Sequence, residues 1–415
     1  MQTTALDDRA LLSNLREERA RISDSLRKNR DELEDLQSNH LVFPFNSLPK
    51  HIIAMIFELC LPEYPVCPPM HGLRSPTRFL VVCKMWKDIA LSTASLWRGI
   101  DLSSTWPSSR KIPFIERYHD KSEPNPPLVA LWLVRSKALP ISLYATYPSD
   151  TGSDKRAMMD LLFSHRERWE FVRMHLNTWY YPQFVGPFPK LRFIELDNES
   201  SSFRSEDSIV SFKSFDVPLL RAVTLWDITG TGKLSSASTL ALLPWAQLTG
   251  LILIYADDAL EILRQTTRLV HLEFRTSGDE QSFHFPRMPP AVVLPSLRSL
   301  VFGRYDYDYE YTAPRVPCSY YIQCIVAPAL RSLRVDDLLM RPDPVGALQA
   351  FVQRSRCTSL EEVCIMGGRS RAEKTYRRAF STSVRVWFDF GDEKGWTNKE
   401  EQARSRKSVM DVARG

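Results

Sequence analysis

The sequence predicts an α+β protein laid out in series: a long N-terminal helix, a small all-helical segment, then an α/β array of alternating short strands and helices. Three observations carry this reading. Residues 6–40 contain no Pro or Gly and repeat apolar residues at alternating spacings of three and four. Residues 43–98 place two apolar runs of helical periodicity around a proline-rich stretch. From Trp169 onward a Leu-x-x-Leu-like pattern returns eight times, with strand and helix signals between the copies.

Composition narrows the function classes. The chain has 415 residues, of which 44% are hydrophobic and 25% charged, ordinary values for a globular protein. The net charge of +5 is spread along the chain without a basic block, so the sequence carries no electrostatic footprint for nucleic acid. The longest apolar stretches, such as Leu128–Val134 and Leu251–Tyr255, are too short to span a bilayer, and no membrane partner is expected. Asp7 and Asp8, without an apolar run beside them, argue against a secretory leader. The seven cysteines are odd in number and form no Cys-x-x-Cys pair. They read as reduced thiols of a cytoplasmic or nuclear protein. Twenty-eight prolines against fifteen glycines point to stiff element boundaries.

In the first segment, residues 1–42, Leu12, Leu15, Arg19, Ile22, Leu26, Asn29, Leu33, Leu36 and His40 form a heptad seam with charged flanks. Two readings stand: a homodimer through a coiled coil of residues 12–40, or an amphipathic helix lying along its own chain. Arg19 and Asn29 lower the stability of the seam and can fix its register.

In the second segment, residues 43–98, Pro44 ends the first helix. Asn46 or Ser47 caps the next, with Pro49 in its first turn. Ile52, Ile53, Ile56, Phe57 and Leu59-Cys60 cover more than one face, so this helix must meet two partners at once. Residues 62–78 read as a loop. A further helix is expected from Pro76 to Leu91, with Phe79, Val82, Cys83, Trp86, Ile89 and Ala90 as its apolar positions, and Leu96-Trp97 should fold back on the pair.

These residues resemble the F-box. The matching positions are Leu48-Pro49, Ile52, Ile56-Phe57, the run Val82-Cys83-Lys84-Met85-Trp86-Lys87-Asp88-Ile89-Ala90, and Leu96-Trp97. Cys60-Leu61-Pro62, the insertion after it and the preceding charged heptad helix resemble a subgroup of fungal F-box proteins. The resemblance implies binding to the adaptor of a cullin–RING (SCF-type) ubiquitin ligase through Leu48, Pro49, Ile52, Ile56, Val82 and Trp86. The alternative for individual residues, Ile56 and Trp86 above all, is that they pack helix on helix. The chain departs from the family in two places: His51 stands where an acidic residue is favoured, and residues 62–77 exceed the loop of compact F-boxes.

Residues 99–168 read as a connecting region, with a helix at Leu128–Val134, a strand at Pro140–Ala145 and a helix at Asp154–Arg168. The recurring motif then begins at Trp169, Leu191, Leu220, Leu248, Leu269, Leu297, Leu330 and Leu360, at spacings of 22, 29, 28, 21, 28, 33 and 30 residues. Pro189, Pro218, Pro295 and Pro328 each stand two residues before a copy. Helices are expected at Ser236–Leu243, Asp258–Arg264 and Val345–Arg354, the last capped by Asp343 with Pro344 at its first position. Residues 169–385 therefore resemble an irregular leucine-rich-repeat solenoid with a parallel sheet on its concave face. The stretch Tyr305–Tyr311 reads either as a partner-binding loop or as a solvated edge. Residues 386–415 read as a polar tail, disordered or a frayed helix.

No catalytic constellation, cofactor site or metal site emerges. Gly230-Thr231-Gly232-Lys233-Leu234 fails as a P-loop, because Leu234 replaces the magnesium-binding hydroxyl and Asp227 the first glycine. His165 and His175 lie near Glu167 and Glu170 without a matching nucleophile. The expected function is a non-enzymatic one: a substrate-recognition subunit that binds the ligase adaptor through its F-box and a target protein through the solenoid. The alternative is a solenoid interaction scaffold without ligase association.

Overall fold

The computed structural model describes residues 4–38, 45–102, 126–146, 153–176, 186–198, 215–226, 243–254, 259–276, 290–304, 318–366, 373–380, 382–389 and 407–414. The glycine-rich stretch 230–234, the helix expected over 236–242 and the tyrosine-rich stretch 305–311 lie outside the described residues. The chain divides into two compact units, Met1–Ile56 and Phe57–Gly415, with the boundary inside the second helix.

The first unit holds α1 (Thr4–Ser38), a single helix of 35 residues and about 52 Å at 1.5 Å per residue. Leu15, Ile22 and Leu26 of the heptad seam are exposed along it. A 3₁₀ turn at Phe45–Ser47 leads to α2 (Lys50–Leu59).

The second unit is built on one all-parallel sheet of eleven strands in sequential order. The strands are β1 (Gly99–Asp101), β2 (Ile141–Thr146), β3 (Trp169–Leu176), β4 (Phe193–Asn198), β5 (Ala222–Trp226), β6 (Gly250–Ile254), β7 (His271–Thr276), β8 (Ser299–Arg304), β9 (Ser332–Asp336), β10 (Glu362–Met366) and β11 (Arg385–Asp389). All eight recurring motifs lead into strands of this sheet, β3 to β10. Helices return between strands at α4 (Pro126–Arg135, after α3 at Lys84–Ser92), α5 (Ser153–Ser164), α6 (Ala259–Gln265), α7 (Cys318–Cys324), α8 (Pro344–Ser355) and α9 (Glu373–Ala379). With α10 (residues 407–414), ten α-helices are found among the described residues. As expected, Asp343 caps α8, its carboxylate accepting from the Gly346 amide at 3.2 Å.

The prolines of the motif have a definite place. Leu191, Leu220, Leu297 and Leu330 each donate their amide to the carbonyl three residues back, on Phe188, Val217, Leu294 and Ala327. Pro189, Pro218, Pro295 and Pro328 sit at the second position of these turns, where a fixed φ near −65° costs nothing. The residue after each leucine then begins a ladder from Arg192 through Arg221, Thr249, Val270, Arg298, Arg331 and Glu361 to Arg385, each amide bonded to the carbonyl of the preceding repeat. Turn and ladder together set the strand register.

Alternation along the strands then sorts the side chains onto two faces. Val172, Ile194, Val223, Leu251, Leu272, Leu300, Leu333 and Val363 share one register row, and all are fully buried. The same face meets the helices: Phe274 stacks on Tyr321 of α7 at 4.9 Å, and Phe388 meets Tyr376 of α9 at 6.0 Å. Each such aliphatic side chain contributes about 1.5–3 kcal/mol by leaving water.

Ordered structure extends beyond the expected end of the array at residue 385. β11 pairs along its whole length with β10, and α10 buries Val409 and Ala413 in what reads from sequence as a polar tail. The second helix of the small segment also differs from expectation. A 3₁₀ turn at Pro76–Leu80, capped by Ser75, gives way at Val81-Val82 to an extended Cys83 (φ −157°), which starts α3 afresh. The Cys83 thiol accepts from the Trp86 amide at 3.5 Å, a weak cap in place of a hydroxyl.

Candidate functional site

The docking residues fall in both units. In the first, Pro49 is exposed and Leu48, Ile52 and Ile56 are half-buried; Ile53, on another face of the helix, is fully buried. Ile52 and Ile56 lie one turn apart on α2 and so share a face. His51 is exposed.

In the second unit, Phe57 is the buried anchor. It stacks on Phe79 with ring centroids 4.0 Å apart and planes within 7°, and meets Trp86 at 5.0 Å. Trp86 also lies 6.2 Å from Phe79, and the Arg78 guanidinium sits 4.7 Å over the Phe79 ring. Arg78 further ties the segment together by donating to the Leu73 and Cys60 carbonyls at 2.6 and 3.1 Å. Trp86 is thus half-buried in an aromatic group and carries packing as well as surface. Val82 is not part of a helix. It lies on the turn before α3 and is 56% exposed.

Two apolar residues that the motif did not single out are more exposed still, Val81 at 84% and Leu59 at 83%, and Met55 on α2 is exposed as well. Their signal in the sequence is negative: Met55 is offset from the buried Ile53 in the first unit, and Leu59 and Val81 from the buried Phe57, Phe79 and Ile89 in the second.

Leu96-Trp97 joins this segment to the sheet. Trp97 is fully buried, donates its indole N–H to the Ala90 carbonyl at 2.9 Å, and packs edge-on against Trp132 of α4 at 5.3 Å. The Arg135 guanidinium lies 4.5 Å over its ring.

The insertion between Cys60 and Thr77, a loop by sequence, covers the first edge of the sheet. Pro69 bridges to Asp101, the last residue of β1. Gly99 is required there, because a Cβ would meet Pro68 Cδ at 2.9 Å and Cys67 Cα at 3.2 Å. The Ser142 hydroxyl donates to the Pro65 carbonyl at 2.5 Å and accepts from the Cys67 thiol at 3.3 Å. Burial pushes the Cys67 thiol up to about 12, outweighing its Ser142 bond, so it is inert at neutral pH.

Tyr64 of the insertion lies at a junction. Its hydroxyl donates to Glu170 Oε2 at 2.9 Å, its ring lies 5.7 Å from Phe171, and the Arg98 guanidinium sits 3.4 Å over that ring. Glu170 also receives Arg98 at 3.2 Å and Arg192 at 3.4 Å. Burial holds the Tyr64 hydroxyl well above the usual phenol range.

The other face of the sheet is turned away from α4–α9. In β3–β6 it carries an apolar group under α10 beside a buried Arg173–Glu195 ion pair at 2.9 Å. Phe171, Phe193, Ala222, Ile252 and Ile254 form a buried group with Val409 and Ala413 of α10, and Tyr64 and Met410 pack at its margin. In β7–β10 the same face carries His271, Glu273, Arg275, Arg334 and Glu362, with a buried apolar group of Val301, Cys364 and Met366 beside them. There Arg275 pairs with Glu273, both buried, and His271 Nδ1 lies 3.1 Å from the Ser299 hydroxyl.

Among the described residues, no group of three or more His, Cys, Asp and Glu side chains is placed to hold a metal ion, and no helix is long and apolar enough to cross a membrane. No family model, curated protein or solved structure matches this chain.

Proposed function

We propose that this chain is the substrate-recognition subunit of an SCF-type cullin–RING ubiquitin ligase, with an F-box that binds the adaptor and a leucine-rich-repeat-like array that holds a target protein. The observation that carries the reading is the turn-and-helix segment around Val82. Phe57, Phe79 and Trp97 supply its buried side, yet Val81, Val82 and Leu59 stay in water. Exposed large aliphatic side chains beside an F-box-like motif mark a surface that a partner covers. Fixing the segment to the array through Trp97 and Trp132 suits such a subunit, whose contribution is to hold a target at a set distance from the transfer machinery. The subunit acts as a dimer through the seam of residues 12–40, where Leu15, Ile22 and Leu26 are exposed.

The test is capture of purified adaptor. The full chain should bind it at micromolar concentration or tighter, and Val81→Asp with Val82→Asp should abolish binding while leaving the thermal unfolding midpoint unchanged. Both residues lie outside the aromatic group, so their loss separates binding from folding in a way that Trp86→Ala does not. Failure of the unsubstituted chain to capture adaptor would leave the interaction-scaffold reading in its place.

A further inference from the structure

The two edges of the sheet are closed by different means. At the first, the insertion lies against β1, and Pro69 bridges to Asp101. At the other, β11 is the last strand in the order, and among the described residues no strand pairs with its outer side. β11 reads Arg385-Val386-Trp387-Phe388-Asp389, with no Pro or Lys to discourage pairing, and it runs along β10 in unbroken register without a bulge. The Arg385 amide bonds to the Glu361 carbonyl at 2.9 Å, so the backbone groups of Arg385 turn toward β10 and those of Val386 turn outward. A side chain meets that outward side. Arg377 of α9 donates to the Val386 carbonyl at 2.8 Å, and its guanidinium lies 5.2 Å from the Phe388 ring centroid. Arg377 is itself exposed, and its ion pair with Glu373 of the same helix is a surface contact of 3.9 Å, a weak tether.

The strand is complementary to its own reverse. Two copies of β11 laid antiparallel about Trp387 place Arg385 of each opposite Asp389 of the other, and Val386 opposite Phe388. Val386 and Phe388 then supply the hydrogen-bonded pairs. Trp387 with its counterpart, and Arg385 with Asp389, take the alternate positions, where side chains approach most closely, at about 4.5 Å between Cα atoms. Arg385, Trp387 and Asp389 share the face of Glu362, Cys364 and Met366, so the charged and aromatic contacts fall on one side of the joined sheet. A parallel pairing in register would instead set Arg385 beside Arg385 and Asp389 beside Asp389, like charge against like.

From this we infer that the outer edge of β11 is an interface for a second copy of this chain, paired antiparallel about Trp387, and that Arg377 is the latch that closes it. While Arg377 holds the Val386 carbonyl, its guanidinium occupies the place of the N–H that a second strand donates. When Arg377 swings into solvent, the eleven-stranded sheet of one copy continues into that of the other. The contact is separate from the heptad seam of residues 12–40, and it stands apart from the ligase reading.

The experiment uses the full chain carrying Ile22→Glu and Leu26→Glu, two substitutions at exposed positions that put like charges on the seam of α1 and leave β11 as the contact being read. Sedimentation velocity over a range of concentrations gives the dissociation constant of the dimer. Arg377→Ala in this chain should tighten self-association at least tenfold. Arg385→Asp or Asp389→Arg, each added to Arg377→Ala, should remove that gain, because like charges then meet across the pair. Mixing the two charge variants should restore it, since each acidic end now faces a basic one. No tightening by Arg377→Ala overturns the inference, and so does association that survives either charge variant or fails to return on mixing. Thermal unfolding shows whether each charge variant is folded. Should one not fold, Trp387→Lys takes its place: it brings two ammonium groups together at the centre of the pair, and association undiminished by it overturns the inference equally.

Discussion

Strands β3–β6 turn Phe171, Phe193, Ala222, Gly250 and Ile252 away from the returning helices, whereas β7–β10 turn His271, Glu273, Arg275, Arg334 and Glu362 the same way. The difference is chemical, since both halves share one ladder, one register and one buried aliphatic row. Apolar side chains on a sheet face must be covered from outside the sheet, and the chain supplies that cover with α10 and with Tyr64 of the insertion. Charged side chains can be answered from neighbouring strands, as Arg385 answers Glu362 at 2.8 Å. The part of the face at Phe171, Phe193 and Ala222 therefore depends on a segment distant in sequence, while charged groups in both halves, Arg173 with Glu195 and Arg275 with Glu273, answer each other within the sheet.

The comparison breaks first at Phe193, which is fully buried and central to the apolar half. Phe193→Ala should cost about 3–5 kcal/mol, as deletion of a buried ring does. Ser332→Ala in the same register row of the other half removes only a hydroxyl donating to Glu362 at 2.8 Å, and should cost about 1 kcal/mol. Urea unfolding of the two variants gives both numbers. Similar losses would mean that the two halves do not differ in what covers them.

The next largest effect lies in the polar half. Glu273→Ala leaves Arg275 buried beside a missing carboxylate and should cost about 3 kcal/mol. Replacing both by leucine should restore most of that loss, because a buried ion pair gains little over packed aliphatic groups. If the double variant is as unstable as Glu273→Ala alone, the half is held by contacts of the charges beyond this pair.

Most of the array was legible because its signal is local and repeated. Four copies put a leucine at the end of a proline turn and an aliphatic residue three positions on, and both are buried for reasons that recur at Leu191, Leu220, Leu297 and Leu330. The docking segment was legible as a set of residue types but not as a surface. Ile53 and Ile52 are indistinguishable in composition, yet one is fully buried and the other half-buried, and in the second unit only the packing of Phe57 on Phe79 and Trp86 decides which side is dry. Trp86 illustrates the limit, since the aromatic group makes it structural and superficial together. The cover on β3–β6 left no mark at all in short-range pattern. Val409, Val412 and Ala413 sit among charged residues with too little hydrophobicity to suggest burial, and their burial follows from a notch made by Ala222 and Gly250 more than 150 positions earlier. The insertion was read as a loop for a related reason: its partners, Gly99, Ser142 and Glu170, are remote in sequence.

The smallest effect sharpens the polar half further, through its pH dependence. Burial opposes ionisation of Glu362, but the Ser332 hydroxyl and the Arg385 guanidinium outweigh it and hold its carboxyl below the usual range. A carboxyl depressed in the folded state stabilises the fold above its unfolded value, and that contribution is lost as pH falls through the folded one. The parent chain should therefore lose stability on acidification partly through Glu362. Glu362→Gln keeps a hydrogen-bond acceptor and cannot titrate, so it should be less stable than the parent at neutral pH and approach it in the acid range. Urea midpoints measured from pH 7 down to pH 3 would show the two curves converging. The same comparison on Phe193→Ala should give parallel curves, since no carboxylate depends on that ring. Curves that stay parallel for Glu362→Gln would mean that its bonds to Ser332 and Arg385 do not distinguish the folded from the unfolded chain, and that the later strands rely on packing as the earlier ones do.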